Sequence, residues 1–301
     1  MAGPISRRRF LATSAAATAG AVALAACGGD DGPSADDDTS TTTGSSGSGE
    51  LSLIQFFGGG PQFVAGTTVR APFGLADKDG LLEVGDTPAE LTVTVLGPDE
   101  KAIADPLTIA RRSDGIPRPY YPLVVPVTDP GIYSARVDYE GVAADLSFQV
   151  NRPEEVAVIK AGDTFPALET PTPDDARGVN PICTATPACP LHDVTAAQAL
   201  TEGRPLAFLV ATPAFCQISV CGPVLDVLRT ALPNHPNVRG LHAEVHPDPF
   251  TTTKTFAPTP LALKLFSEPV LVLVGSDGIV QQRVDTLFDV TELDELLAGL
   301  T

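Results

Sequence analysis

Thr212-Pro213-Ala214-Phe215-Cys216-Gln217-Ile218-Ser219-Val220-Cys221-Gly222-Pro223 follows an apolar run from Pro205 to Ala211 and leads into a helical pattern. Val224, Leu225, Leu228, Ala231 and Leu232 recur at the spacing of one helix face, with Asp226 and Arg229 on the other side. Pro223 suits a first helical position and Gly222 a cap, so the spacing predicts a helix from Pro223. A buried strand thus delivers two cysteines to the mouth of a helix. Inside a regular helix such cysteines would point apart and be too distant to bond. With Cys216 in the preceding loop, it can fold back on Cys221. A thiol at a helix N-terminus faces unpaired N–H groups and the positive end of the dipole, both of which favour thiolate. The pair is either exchange-competent or a purely structural disulfide.

Downstream, the pattern predicts a strand over Val238 to Val245, a helical stretch near Leu261 to Phe266, and a strand from Val270 to Val274 after Glu268-Pro269. A hairpin at Ser276-Asp277-Gly278, a further strand and a last helix follow. That helix has Thr291 as cap, Asp294 three residues on, and Leu293, Leu296, Leu297 and Leu300 on one face. His242, Glu244 and His246 alternate along the first of these strands and would share a face. They form either a candidate metal triad or polar residues packed at a strand end. Glu244 alternatively suits the buried proton acceptor that thiol exchange needs.

This order of strand, cysteine loop, helix and later elements is similar to the thioredoxin-like fold over about residues 160 to 300. It resembles most the redoxin group that includes TlpA-like thiol-disulfide oxidoreductases and Sco-type proteins. Ala161-Gly162-Asp163-Thr164-Phe165-Pro166-Ala167-Leu168 resembles the opening of redoxin domains. The resemblance implies an α/β domain over residues 154–301, with a mixed sheet flanked by helices. It implies that Pro269 is cis and faces the cysteines, that Cys216 attacks and Cys221 resolves, and that the partners are protein thiols or disulfides. Four residues separate the two cysteines, where the group has two or three, and Val224 stands where Cys221-Gly222-Pro223 would need a closing cysteine. Cys221 therefore stays open as the nucleophile. The Sco-type resemblance implies copper as the cofactor, held by cysteines with His242 or His246. A fainter resemblance to peroxiredoxins, through Thr212 and Cys216, has a spacing one residue too long and Glu268 where arginine would precede Pro269.

Five cysteines occur. With Cys27 set aside for lipid, as argued below, Cys183, Cys189, Cys216 and Cys221 remain, an even number for an oxidising compartment. Of the three pairings, Cys183 with Cys189 and Cys216 with Cys221 closes short loops that chain geometry can satisfy. The first pair sits in the Pro-rich stretch from Cys183 to Cys189-Pro190-Leu191-His192, which has no strand or helix period. It is expected to be a structural staple; a relay of electrons to Cys216 and Cys221 would need the two pairs side by side.

Before this domain, residues 51–150 change character. Leu91-Thr92-Val93-Thr94-Val95 and Leu123-Val124-Val125-Pro126-Val127 alternate with Gly, Pro and Asp turns, the pattern of an all-β sandwich. Pro130-Gly131-Ile132-Tyr133 resembles the entrance to a late strand of immunoglobulin-like domains, where the tyrosine braces a corner. Asp77, Asp79 and Asp86 suit turns rather than calcium. No catalytic constellation lies here, and a spacer or partner-binding module is expected.

At the N-terminus, Ser6-Arg7-Arg8-Arg9-Phe10-Leu11 and the Ala-rich run behind it read as a secretory signal over residues 1–26. The segment resembles a twin-arginine export signal, and Leu24-Ala25-Ala26-Cys27 resembles the lipobox of bacterial lipoproteins. The combination implies lipid on Cys27 and a tether to the outer face of the cell membrane. Residues 27–50, nearly without apolar side chains, read as a disordered linker. Net charge is −18, and the one arginine cluster lies in the signal, which argues against nucleic acid.

Overall fold

The structure is a computed structural model that describes residues 51–216, 219–251 and 255–301. The signal, the lipobox with Cys27 and the linker lie outside the described residues. The fold is mixed α/β with three sheets and few helices.

Two sheets use the alternating segments of the first half. One joins β1 (Ser52–Gln55), β3 (Thr67–Asp77) and β4 (Gly80–Leu81), with β7 (Tyr121–Val127) on the other side of β3. The second runs β2 (Phe63–Val64), β9 (Val142–Asn151), β8 (Gly131–Tyr139), β5 (Glu90–Leu96) and β6 (Leu107–Ala110). Inward residues alternate with outward ones: Leu91, Val93 and Val95 of β5 and Leu123, Val125 and Val127 of β7 share a single core with Phe73, Tyr133 and Phe148. Pro122 and Pro126 are tolerated because β7 pairs only with β3 and its other edge needs no ladder donors. Tyr133 does brace a corner: its hydroxyl donates to Asp129 O at 3.0 Å and accepts from Asp129 N at 3.2 Å. Asp77 Oδ1 accepts from Asp79 N at 2.8 Å, a turn contact.

The third sheet has the order β11 (Arg239–Ala243), β10 (Leu206–Val210), β12 (Val270–Val274), β13 (Val280–Asp285). β10 is parallel to β11 and antiparallel to β12. The central strands read LAFLV and VLVLV and are buried at every residue, as strands covered on both faces must be. Ala207, Leu209, Leu271 and Leu273 face α2 (Cys221–Ala231) and α4 (Val290–Ala298). Leu206, Phe208, Val210, Val270 and Val272 face α1 (Ala196–Leu200) and the chain around Val156 to Phe165. The stretch expected to be helical near Leu261 to Phe266 contributes only the short α3 (Pro258–Ala262). No helix among the described residues is long and apolar enough to cross a membrane.

Two helix starts differ from expectation. α2 begins at Cys221, with Val220 rather than Gly222 as cap, and Pro223 is its third residue. The first helical N–H groups have no partner within the helix, so proline is tolerated there as well as at the first position. α4 begins at Val290, capped by Asp289 rather than Thr291: Asp289 Oδ1 accepts from Glu292 N at 2.8 Å. The other oxygen of Asp289 accepts from Ser113 N and Asp114 N, at 3.0 and 3.1 Å, a tertiary gain that Thr291 does not offer.

Those contacts belong to a polar junction between the halves. Arg70 of β3 donates to Glu292 of α4 through Nε at 2.7 Å and Nη2 at 2.8 Å, and to Leu287 O at 2.7 Å. The Tyr120 hydroxyl also donates to Glu292 and accepts from Asp289 N. Tyr120 and Ile116 join the α2–α4 core, so the two halves are packed as one body.

Candidate redox and metal centre

The loop between β10 and α2 brings Cys216 and Cys221 together. Cys216 is partly buried in the loop, Cys221 is fully buried in the first turn of α2, and the two are disulfide-bonded with Cα atoms 5.8 Å apart. The loop is held through its backbone: Ala211 N donates to Ala243 O at 3.0 Å, Thr212 N to Glu268 Oε2 at 2.6 Å, and Ala214 N to Thr184 Oγ1 at 3.1 Å. Glu268 Oε2 lies 3.7 Å from Cys221 Sγ, and the Glu268–Pro269 peptide that opens β12 is cis. The Glu268 carboxylate therefore stands beside the helix-borne sulfur. At the rim, Phe215 and Phe250 are exposed and meet edge to face with ring centroids 5.0 Å apart.

Cys183 and Cys189 depart from the expected staple. Both are free and buried, and His192 and His242 are packed against Cys189. Cys189 Sγ lies 3.3 Å from His192 Nε2 and 3.5 Å from His242 Nδ1, and those two nitrogens are 3.1 Å apart. With Cys183 Sγ, all four donor atoms lie within 4.8 Å of one another. This buried group is suited to hold a metal ion. The segment that carries Cys183, Cys189 and His192 has neither helix nor strand and lies along the free edge of β11, where His242 N donates to Leu191 O at 2.9 Å.

The Cys189 S–H and both imidazoles hold the Cys183 thiol well below its usual range, whereas donation to Cys183 and burial push Cys189 up. Burial lowers His242, whose Nε2 lies 3.0 Å from Ala211 O.

Glu244 follows β11 and shares the cluster's side with His242: its Oε1 accepts from Thr184 N at 2.6 Å, and its buried Oε2 has no hydrogen-bond partner among the described residues. Burial pushes this carboxyl up to about 8, opposed by Thr184 and reinforced by Cys183 and Glu268. His246, by contrast, is not in the cluster. β11 ends at Ala243, the strand alternation stops there, and His246 stacks on Phe256 with Nδ1 2.8 Å from Thr255 O. His192 is the ligand type that sequence reasoning passed over; its signal is the Cys189-x-x-His192 spacing.

No family model, curated protein or solved structure matches this chain.

Proposed function

We propose that the chain is an extracytoplasmic thiol-disulfide oxidoreductase, lipid-anchored through Cys27, with a thioredoxin-like domain following an immunoglobulin-like one. The observation that carries the redox reading is the Cys216–Cys221 disulfide at the start of α2, with the Glu268 carboxylate beside it. In the reduced chain the Cys216 thiolate attacks a disulfide of a protein substrate. One substrate sulfur leaves as a thiolate, and Cys221 then displaces the other, restoring Cys216–Cys221. The partly buried Cys216 suits the attacking role and the fully buried Cys221 the resolving one. Phe215 and Phe250 offer an apolar rim to a protein substrate. Glu244, pushed up to about 8 by burial, suits donating a proton to a leaving thiolate at neutral pH rather than the acceptor role expected from sequence.

The test is the reduction potential of the pair, read by mass spectrometry of alkylated thiols after equilibration in dithiothreitol or glutathione buffers. A value above about −300 mV is expected for an exchange-competent pair, and a lower one would leave a structural disulfide.

A second reading, a Sco-like copper chaperone, is favoured by the buried Cys183, Cys189, His192 and His242 group. Thiolate and imidazole suit copper. The donors differ from those the resemblance implied, since His246 is elsewhere and Cys216 and Cys221 are bonded to each other.

A further inference from the structure

We propose that Cys183, Cys189, His192 and His242 close a four-coordinate site for one zinc-class divalent cation, held as a resident part of the fold and separate from Cys216–Cys221. This goes beyond the redox reading and does not rest on it; against the copper reading, it makes the ion a fixture rather than cargo.

Zinc bonds sulfur at about 2.3 Å and nitrogen at about 2.0–2.1 Å, so its tetrahedron has edges of roughly 3.3 Å between nitrogens and roughly 3.6 Å between sulfur and nitrogen. The structure has 3.1 Å between the two imidazole nitrogens, and 3.3 and 3.5 Å from Cys189 Sγ to them. These edges lie within about 0.3 Å of the metal-bound values. Cys183 Sγ lies within 4.8 Å of these three atoms, and two sulfurs with two nitrogens are the donor set of a structural zinc site. Four protein donors leave no coordination position for a substrate or for handing the ion on, and all four residues are buried.

The surroundings orient the donors. His242 Nε2, facing Ala211 O, carries the ring proton and leaves Nδ1 its lone pair for the metal. Cys189 N donates to Cys183 Sγ at 3.3 Å. His192 has no such brace, because its Nδ1 finds no hydrogen-bond partner among the described residues. On binding, both cysteines ligate as thiolates and their thiol protons pass to solvent, and nothing is oxidised or reduced. The ion would clamp a segment without helix or strand to β11. Through Ala211 O and Thr184 Oγ1, it would also fix the floor of the Cys216 loop.

The experiment is anaerobic titration of the full chain with Co2+ and then Zn2+, with the Cys216–Cys221 bond verified closed by alkylation and mass spectrometry. One Co2+ per chain is expected, with the intense visible bands of tetrahedral cobalt and thiolate charge transfer, bleached by one equivalent of Zn2+. Zn2+ should protect Cys183 and Cys189 from alkylation. The variants Cys189→Ser and His242→Ala should bind at least about 100-fold more weakly, since loss of even an outer-shell partner costs 10–100-fold. His246→Ala should bind as the parent does. Because the parent spectrum alone reports geometry and thiolate ligation, a variant that fails to fold does not blunt the test. Weak octahedral cobalt bands, a Cys183–Cys189 disulfide in the isolated chain, binding of Cu+ but not Zn2+, or loss of binding in His246→Ala would overturn the proposal.

Discussion

Replacing Glu292 with glutamine keeps the side chain's shape and removes its charge from the polar junction between the halves. The Arg70 and Glu292 side chains are 5% and 8% exposed, so solvent cannot take over the role of the lost partner. Removing one member of a buried ion pair costs about 3–5 kcal/mol, because the remaining charge stays buried. Arg70 keeps the carbonyls of Asp285 and Leu287, at 3.3 and 2.7 Å, which places the expected loss near the lower end, about 3 kcal/mol. For a body of this size that corresponds to a fall in Tm of roughly 6 °C by calorimetry. Arg70→Met combined with Glu292→Leu should lose at least about 1 kcal/mol less than the sum of the two single changes, since no charge is then stranded. The same pair sets a pH dependence. Burial alone would raise the Glu292 carboxyl, but the Arg70 guanidinium and the Tyr120 hydroxyl hold it below the usual carboxylate range. Its contribution is therefore complete above the unfolded-chain value of about 4.3 and is lost as pH falls through the lower folded value. Glu292→Gln should flatten that acid limb. A loss below about 1 kcal/mol at neutral pH, or an unchanged acid limb, would refute the reasoning.

Two further substitutions probe one contact in each half of the fold. Tyr133→Phe deletes the brace to Asp129 and should lower stability by about 1 kcal/mol in urea unfolding, with no change in the Cys216–Cys221 potential. Gly240→Ala, on the strand that carries His242, would put a Cβ 2.2 Å from Leu232 Cδ1. Overpacking of this kind costs about 1–3 kcal/mol and should be partly relieved by adding Leu232→Ala; a neutral Gly240→Ala would refute the contact.

The elements legible in the sequence are those whose signal is local. β12 occupies Val270–Val274, the expected residues, and the apolar run at 205–211 contains β10, because an all-apolar stretch bounded by prolines has few alternatives to a central strand. The Cys216–Cys221 bond was legible for the same reason: a loop before a helix lets nearby residues meet. Helix starts were less so, since several residues can satisfy a cap and a distant contact selects among them, as Ser113 and Asp114 do for Asp289.

The metal-suited cluster shows where such local reading stops. Periodicity placed His242 and Glu244 on one side but carried His246 along with them, because nothing in the alternation marks the end of β11 at Ala243. Cys183 and Cys189 looked like a staple because nearness in sequence is the only evidence sequence offers for a pairing. In the structure the segment that carries them lies along the edge of β11, and that placement brings in His242 from 53 residues beyond Cys189. Two buried thiols beside two imidazoles are a different chemical object from two thiols alone. An oxidised pair would present no thiolate to a cation, whereas the free pair leaves both sulfurs available beside the two imidazoles. The tertiary position of His192 and His242 thus places the two free thiols in a group that could hold a metal ion.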